Sequence, residues 1–254
     1  MMIRRSAGVA GRCDHGPMCG RFTQQLSSSE FAKIFGAENL ADDPGGHYNL
    51  APMRKASVVV ERDDRRAIVP YKWGFVPAWA KDPRIGSRMI NARAETIATS
   101  PAFRSAFAKR RCIVPADAFY EWHRVGKGPS QPYVIRREDG RTLALAGIWS
   151  AWREADAPDG AEPLRTFSIV TTTANETLAP IHDRMPVLLP EDAWELWLGG
   201  AEVDPGAVAG LLVPAPPTEL IRFPVARYVS DVRNDGPILV EPIELDADEA
   251  APPA

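Results

Sequence analysis

Apolar and polar positions alternate over many short stretches of this chain, whereas a helical period of three to four residues appears in few. Alternation of this kind predicts strands. The predicted strands are 56–61, 67–73, 111–114, 118–123, 133–137, 143–152, 165–172, 187–189 and 221–225. The helical pattern predicts helices at 27–35, 101–109 and 191–198, with a short one inside 203–212. Many short strands with few scattered helices predict an α+β fold.

The strongest local signal is the helix at 27–35. Ser27 followed by Glu30 is a capping box, and Leu26 with Phe31 has the spacing of a hydrophobic staple. Gly36 stands where a helix of this length ends. Ser100 is the predicted cap of the helix at 101–109.

A single domain is expected, built on a curved, barrel-like, mainly antiparallel sheet with a few peripheral helices. Residues 1–17 have no hydrophobic period, and residues 241–254 hold five acids and no base. Both ends are therefore predicted to be disordered, which leaves a domain at 18–240. The first segment is alternatively a misassigned translation start.

Composition narrows the class of protein. The 254 residues are 45% apolar and 25% charged, as in ordinary globular proteins. No run of about 18 apolar residues is present, so a membrane span is excluded. Three cysteines do not make a disulfide framework. We expect a cytoplasmic protein.

Charge is distributed unevenly although the net charge is only −3. The window 62–111 contains 12 Lys or Arg and 4 Asp or Glu, a balance of +8, together with Trp73, Phe75 and Trp79. Cations interleaved with aromatic rings suit single-stranded nucleic acid, whose phosphates attract the cations and whose bases stack on the rings. The alternative is a solvated basic face above a few core aromatics.

Cys19 follows an internal methionine, Met18. If translation began at Met18 and that methionine were removed, Cys19 would carry a free amine and a thiol on one carbon skeleton. Both groups are partly nucleophilic near neutral pH, and together they can close a five-membered ring on an aldehyde. The alternative is an incidental buried cysteine.

Three further motifs carry chemical groups. Asn91, Arg93 and Glu95 lie within five residues, and Glu121 stands inside the aromatic run Phe-Tyr-Glu-Trp. An apolar environment raises the pKa of such an acid toward 7, as general acid/base work requires. His182 lies beside an acid and an arginine in a proline-bounded loop. Each motif alone also fits a structural role. Cys13 and His15 have no second pair, so no metal is assigned.

Seven motifs in order strengthen these hypotheses. The chain reads Met-Cys-Gly-Arg-Phe at 18–22, Tyr-Asn-Leu-Ala-Pro at 48–52, Trp-Gly-Phe-Val-Pro-Ala-Trp at 73–79, Asn-Ala-Arg-Ala-Glu-Thr at 91–96, Arg-Arg-Cys-Ile-Val-Pro-Ala-Asp-Ala-Phe-Tyr-Glu-Trp at 110–122, Ala-Gly-Ile-Trp at 146–149 and Ile-His-Asp-Arg-Met-Pro at 181–186. Together they resemble the SOS response-associated peptidase family of abasic-site processing proteins, from Met18 to about Val225.

The resemblance implies a reaction with abasic sites in single-stranded DNA during the DNA damage response. An amino-terminal Cys19 would condense with the sugar aldehyde and close a thiazolidine, which leaves a protective DNA–protein crosslink. No cofactor is implied, and a monomer is expected. An associated peptidase activity, such as release from a precursor, is also implied by the family name.

The resemblance also implies roles for individual residues. Glu121 would act as the acid/base group, His182 would assist proton transfer, and Asn91 would hold Cys19. The implied phosphate ligands are Arg21, Arg93 and Arg184, with Trp73 wedging bases apart, so that the basic window flanks the channel for the lesion.

One departure leaves the mechanism open. Seventeen residues precede Met18, and a peptide bond at Cys19 removes the free amine. Translation starts at Met18, or the extension is processed, or this chain forms no thiazolidine. Two other functions remain as alternatives: a DNA-independent cysteine peptidase or amidohydrolase using Cys19 and His182, and a non-catalytic module that binds single strands.

Overall fold

A computed structural model describes residues 19–124, 128–200 and 202–245. Within these ranges the strands are β1 (Arg21–Gln24), β2 (Glu38–Asn39), β3 (His47–Leu50), β4 (Lys55–Arg62), β5 (Arg65–Trp73), β6 (Asn91–Arg93), β7 (Arg111–Ala116), β8 (Ala118–His123), β9 (Gln131–Arg137), β10 (Leu143–Trp152), β11 (Leu164–Thr173), β12 (Arg184–Pro186) and β13 (Leu220–Pro224). The predicted disordered segment 1–17, Met18 and positions 246–254 of the predicted tail lie outside the described residues.

The helices in these ranges are short. They are α1 (Ser28–Phe35), α2 (Ala94–Ile97), α3 (Arg104–Lys109), α4 (Trp194–Leu198) and α5 (Pro205–Gly210), with 3-10 turns at Pro83–Arg88, Glu191–Ala193, Pro217–Glu219, Arg227–Ser230 and Pro237–Val240. None of these helices is long and apolar enough to cross a bilayer.

A closed barrel forms the centre of the fold. Strands β4, β5, β11, β10 and β7 each pair with the next, and the parallel pairing of β5 with β11 closes the ring. The other four pairings are antiparallel. Strands β2, β6 and β12 extend the barrel at its edges. The predicted α+β domain with a barrel-like, mainly antiparallel sheet is confirmed.

Alternation along the barrel strands divides their side chains into two sets. One set, which includes Val58, Val114 and Phe167, belongs to a central cluster that faces away from the helices. The other set, which includes Val59 and Ile113, packs against the apolar faces of α1, α3 and α4. Period-two patterning therefore fills the barrel and covers it at the same time.

A second sheet packs against the barrel. Its strands lie in the order β13-β9-β8-β1-β3, and all neighbours are antiparallel. Phe119 and Ile135 point from its inner face into the central cluster. Tyr120 and Val134 point from its outer face into a separate cluster, which residues of the 225–240 segment cover.

Arg111 joins two helices to the barrel. Its buried guanidinium donates to five backbone carbonyls, those of Phe107, Ala108, Trp197, Gly199 and Gly200. These carbonyls lie at or just beyond the carboxyl ends of α3 and α4, where helical carbonyls lack partners. One side chain from the basic window therefore serves the core and not the surface.

The predicted elements are confirmed where the pattern is long. The segments at 118–123 and 143–152 coincide with β8 and β10. Helix α1 has the capping box of Ser27 and Glu30, and Gly36 ends it in a left-handed conformation.

Two predicted elements are wrong in part. Ser100 does not cap α3, which begins at Arg104 after a turn. The segment at 187–189 is no strand, because its backbone changes partners: the Val187 N–H donates to β11 and the Leu189 N–H to β10. Strand β12 lies just before it.

Candidate active site between the barrel and the second sheet

Cys19 and Glu121 are brought together by the pairing of β1 with β8. Arg21 lies opposite Tyr120 in this antiparallel ladder, so the residues before β1 run alongside the end of β8. The Cys19 backbone N–H donates to Oε2 of Glu121 at 3.0 Å. Glu121 shares the inner face of the sheet with Phe119, because side chains alternate along a strand. The carboxyl group of Glu121, two positions after the core residue Phe119, therefore contacts the backbone nitrogen of Cys19.

Glu121 is buried, with 4% of its surface exposed. Burial raises the pKa of its carboxyl from 4.5 to about 7, the N–H groups of Cys19 and Trp122 oppose that rise, and the negative charge of Asp183 adds to it. This carboxyl therefore exchanges its proton near neutral pH, as predicted for an acid in an apolar run. The charge of Asp183, in the loop before β12, therefore acts on Glu121.

The Cys19 thiol is fully buried in the central cluster. Burial first, and the charge of Glu121 second, raise its pKa well above the ordinary value. The sulfur is therefore a neutral thiol at neutral pH and needs a base before it reacts. Its backbone has a φ of 45°, in the left-handed region that residues with a Cβ rarely adopt.

His182 lies in the loop between β11 and β12 and is buried. Its Nδ1 accepts the backbone N–H of Arg184 at 3.1 Å and lies 2.9 Å from Oδ1 of Asp183. The contact with Arg184 uses Nδ1 as an acceptor, whereas the contact with Asp183 uses it as an N–H donor.

Asn91 begins β6 and pairs with Ile169 of β11 in a parallel ladder. The chain just before it is fixed from the preceding motif: the Trp73 indole N–H donates to the Ile90 carbonyl at 2.9 Å, and the Phe75 N–H donates to the Met89 carbonyl. Ile90 belongs to the same core cluster as Cys19. The Trp-Gly-Phe turn therefore sets the position of Asn91.

Trp73 itself is a correction to the sequence prediction. Its ring is 1% exposed and packs against Phe22 and Phe167, so it has no face for a nucleobase. Trp79, which ends the same motif, was predicted only as one of the aromatic rings of the basic window. Trp79 is 62% exposed, and the only signal for this in the sequence is that it follows Pro77 rather than a strand.

Two of the predicted phosphate ligands lie around Glu95. Arg184 makes a bidentate ion pair with Glu95 and donates to the Thr171 carbonyl. Arg93 is exposed, and its charge also lowers the pKa of Glu95, after the larger effect of Arg184. Arg184 thus holds the Glu95 carboxylate directly, and Arg93 acts on it only through its charge.

Arg21 lies on the other side of the site and is half-buried. It donates to Oδ1 of Asn49 at 2.7 Å and to the carbonyls of Val229 and Ser230, and it lies over the Trp122 ring. These contacts tie the 225–240 segment to β1. The structure thus gives Arg21 a clear role in holding the carboxyl-terminal segment.

The basic window does not form one continuous surface. Arg62 and Arg65 flank the turn between β4 and β5, Arg111 is buried, and Arg110 lies over Trp149. These four cations therefore serve different parts of the fold. No group of three or more potential metal ligands occurs among the described residues.

The site therefore combines the backbone nitrogen and the thiol of Cys19 with the Glu121 carboxyl, whose pKa is about 7. The loop before β12 adds the imidazole of His182. The comparisons with known proteins agree with the motifs. A family model described as SOS response associated peptidase (SRAP) matches residues 18–232.

The chain belongs to this family.

Its SRAP relatives include three proteins named abasic site processing proteins. YoqW of Bacillus subtilis is 35% identical over 226 residues, which cover 88% of this chain and 99% of YoqW. YedK of Escherichia coli is 34% identical, with 89% and 100% covered. HMCES of Gallus gallus is 36% identical over 78% of this chain and 66% of its own length. The family resemblance inferred from the seven motifs is confirmed.

Solved structures share the SRAP fold of this chain. A crystal structure of a protein from Bacteroides thetaiotaomicron superposes with a TM-score of 0.77 at 25% identity, covering 89% of this chain and 100% of that one. A protein from Bordetella bronchiseptica superposes with a TM-score of 0.67 at 26% identity, covering 82% of this chain and 100% of that one. The barrel and second sheet are therefore features common to these proteins.

Proposed function

We propose that this SRAP protein processes abasic sites in single-stranded DNA by forming a thiazolidine crosslink through the amine and thiol of Cys19. The observation that carries the proposal is the 3.0 Å contact between the Cys19 nitrogen and Glu121. A nucleophilic nitrogen beside a carboxyl that titrates near pH 7 suits imine chemistry, which needs protons added and removed at one place.

The proposed reaction has three steps and needs no cofactor. The neutral amine of Cys19 attacks C1 of the ring-opened sugar aldehyde and forms a carbinolamine. Loss of water gives a Schiff base. The thiol then adds to the imine carbon while the nitrogen takes up a proton, which closes the ring. One water leaves in total, and nothing is oxidised or reduced. Because the last step is intramolecular, ring closure is strongly favoured.

The surrounding groups divide the proton transfers. Glu121 takes a proton from the ammonium of Cys19, which leaves the neutral amine for the attack, and returns that proton to the departing hydroxyl. His182 lies in the loop near Glu121 and accepts the thiol proton, which the raised pKa of Cys19 would otherwise retain. Asn91, set in place by the Trp73 turn, orients Cys19. Because the amine of Cys19 and the carboxyl of Glu121 interact, their apparent pKa values describe the pair and not either group alone.

A free amine is the condition for this chemistry. In the 254-residue chain the Cys19 nitrogen is part of a peptide bond. We therefore propose that the active form begins at Cys19, after initiation at Met18 and removal of that methionine, or after processing of the longer chain.

The DNA contacts of the proposal lie on both sides of the site. Arg21, Arg93 and Arg184 would bind phosphates, and the exposed Trp79 replaces Trp73 as the ring on which a base stacks. The arginines already hold protein partners, so binding exchanges some of those contacts for phosphate oxygens. We expect a cytoplasmic monomer that acts in the damage response.

A crosslinking assay tests the proposal. Protein beginning at Cys19, with its terminus verified by mass spectrometry, is mixed with a single-stranded oligonucleotide carrying one abasic site. A heat-stable shifted band on a denaturing gel is expected from this form and not from the 254-residue form. The matched variant C19S keeps the amine and loses the thiol, so it should give a band only after borohydride reduction of the imine.

The outcomes separate the alternatives. Absence of a band from folded protein with a verified free amine overturns the crosslinking chemistry. Turnover of peptide or amide substrates by that same preparation then favours a cysteine peptidase. Salt-dependent binding of undamaged single strands, with neither reaction, favours a non-catalytic module.

A further inference from the structure

The inner face of the second sheet carries a histidine, a tyrosine and an arginine beyond the buried residues of the central cluster. Along β8 this face shows Phe119, then Glu121, then His123, and burial decreases in that order. Tyr133 on β9 lies directly opposite Glu121. A face that only packed on the barrel would continue as apolar residues. The change to His123 and Tyr133 marks a surface beside the site.

Arg222 completes this surface from the edge strand. It lies opposite Ile135 on β13 and shares the inner face with Leu220, which belongs to the central cluster. In the part of the chain that the structure describes, no carboxylate pairs with Arg222, whereas Arg137 on β9 pairs with both Asp139 and Glu219. A phosphate on this guanidinium would therefore displace no carboxylate of the described residues.

Two of the three side chains are in contact, and the third acts on His123 through its charge. The rings of His123 and Tyr133 meet edge to face, with centroids 6.3 Å apart. Burial lowers the pKa of His123, and the nearby charge of Arg222 lowers it further. His123 is therefore a neutral ring at neutral pH, while Arg222 supplies the positive charge. We call His123, Tyr133 and Arg222 the sheet ledge.

We propose that the sheet ledge binds the nucleotide next to the abasic site, with the base against the His123 and Tyr133 rings and the phosphate on Arg222. This inference rests on the proposed function. Directly opposed residues of an antiparallel ladder have Cβ atoms about 5 Å apart. The Cβ atoms of Tyr133 and Glu121 are therefore neighbours across the two β-strands. A DNA strand whose abasic sugar reaches Glu121 would place an adjacent nucleotide over the sheet ledge.

The ledge also gives the DNA a second wall. Arg93, and Arg184 with its partner Glu95, lie on the barrel side of the site. The sheet ledge lies on the opposite side, on β8, β9 and β13. In a DNA strand that crosses the site, the nucleotide on one side of the abasic sugar would contact the barrel side. The nucleotide on the other side would contact the sheet ledge. One aromatic ring and one cation per nucleotide suit a single strand.

Binding of an undamaged single strand tests the ledge independently of crosslinking. Fluorescence anisotropy over a salt series is expected to show about fivefold to a hundredfold weaker binding for Y133L, the range measured for loss of one stacked base. R222A should weaken binding and reduce the slope of log affinity against log salt by about 0.7, the value for one phosphate on a single strand. R136A is the matched control, because Arg136 lies on the outer face of the same sheet over Phe223.

A second set of oligonucleotides identifies the neighbour. Each carries a stable abasic analogue at the central position and a second one on either the 5′ or the 3′ side. If Tyr133 stacks on the 5′ base, Y133L loses no further affinity on the strand lacking that base, and likewise for the 3′ base. Equal losses on all strands would mean that the effect of Y133L does not depend on an adjacent base, which overturns the ledge.

The results separate the ledge from the proposed function. Wild-type affinity and salt slope in R222A, in a preparation that crosslinks, overturn the ledge and leave the proposed function standing. Failure of wild-type protein to crosslink overturns the proposed function, whatever the ledge variants do. If Y133L does not fold, the salt slope of R222A alone decides.

Discussion

The burial of Glu121 predicts that replacing it by glutamine stabilises the fold at alkaline pH. In the 254-residue chain, the carboxyl contacts a neutral peptide N–H, and burial raises its pKa from 4.5 to about 7. The folded chain therefore holds this proton more tightly than the unfolded chain does. The stability that this gives is complete below pH 4.5 and is lost as the pH rises through 7.

The size of the effect follows from that shift. A change of pKa from 4.5 to about 7 corresponds to about 3 kcal/mol of unfolding free energy between pH 4 and pH 9. E121Q removes the ionisation but keeps an oxygen that accepts the Cys19 N–H. Its own cost is about 1 kcal/mol, because the amide nitrogen that replaces Oε1 cannot accept the Trp122 N–H. E121Q should be slightly less stable than wild type at pH 5 and about 2 kcal/mol more stable at pH 9.

Thermal denaturation of the 254-residue chain at pH 5, 7 and 9 measures this. About 3 kcal/mol corresponds to a change of roughly 6–12 °C in the difference between the two melting temperatures. E30Q is a control with almost no pH dependence over this range, because hydrogen bonds from Ser27 lower the pKa of Glu30 below its ordinary 4.5 and the carboxylate stays ionised from pH 5 to pH 9. The same difference between E121Q and wild type at pH 5 and pH 9 would refute the argument.

The form that begins at Cys19 supplies a second comparison. There the nitrogen is an ammonium at low pH, and an ammonium 3 Å from Glu121 lowers the pKa of that carboxyl. The alkaline gain of E121Q should therefore shrink in this form. The same variant should lose most of its crosslinking rate, so that stability and activity change in opposite directions.

Three further predictions concern other contacts. R111K should lower the urea-measured free energy of unfolding by about 2–4 kcal/mol, because an ammonium has three donors for the five carbonyls that Arg111 now satisfies; a loss below about 1 kcal/mol contradicts this. W79A should keep the melting temperature within about 2 °C and weaken single-strand binding about fivefold to a hundredfold in anisotropy titrations, while unchanged affinity would remove Trp79 from the interface. E95Q should tighten binding a few-fold at low salt, because it releases Arg184 for phosphates and removes a negative charge near Arg93, and an affinity equal to that of wild type at low salt would contradict this.

The long elements were predictable because their patterns repeat. Strand β10 shows ten residues of near-continuous burial, and α1 combines a capping box with a terminal glycine. The strands that were missed have two to four residues, such as β6 and β12, and so short a segment shows no period. The barrel closure by β5 and β11 joins segments far apart in the chain, which no local pattern reveals.

The candidate site was predictable in part. The apolar run around Glu121 indicated a raised pKa, and the structure gives one of about 7. The two tryptophans of one motif could not be told apart, because burial depends on what packs against each. Trp73 is the last residue of β5, and its side chain is buried in the central cluster. Trp79 follows Pro77 in an exposed segment. The roles of Asn91 and His182 stay predictions.

The parallel pairing of β5 with β11 has a consequence for synthesis. Lys72 and Thr166, which face each other in that pairing, are 94 positions apart in the chain. Contacts of such sequence separation form slowly, because a long loop must be ordered first. On the ribosome the ring cannot close until β11 has emerged, and β13 of the second sheet follows later still. Cys19 leaves the ribosome early, but its reactive surroundings assemble only when most of the chain has been made.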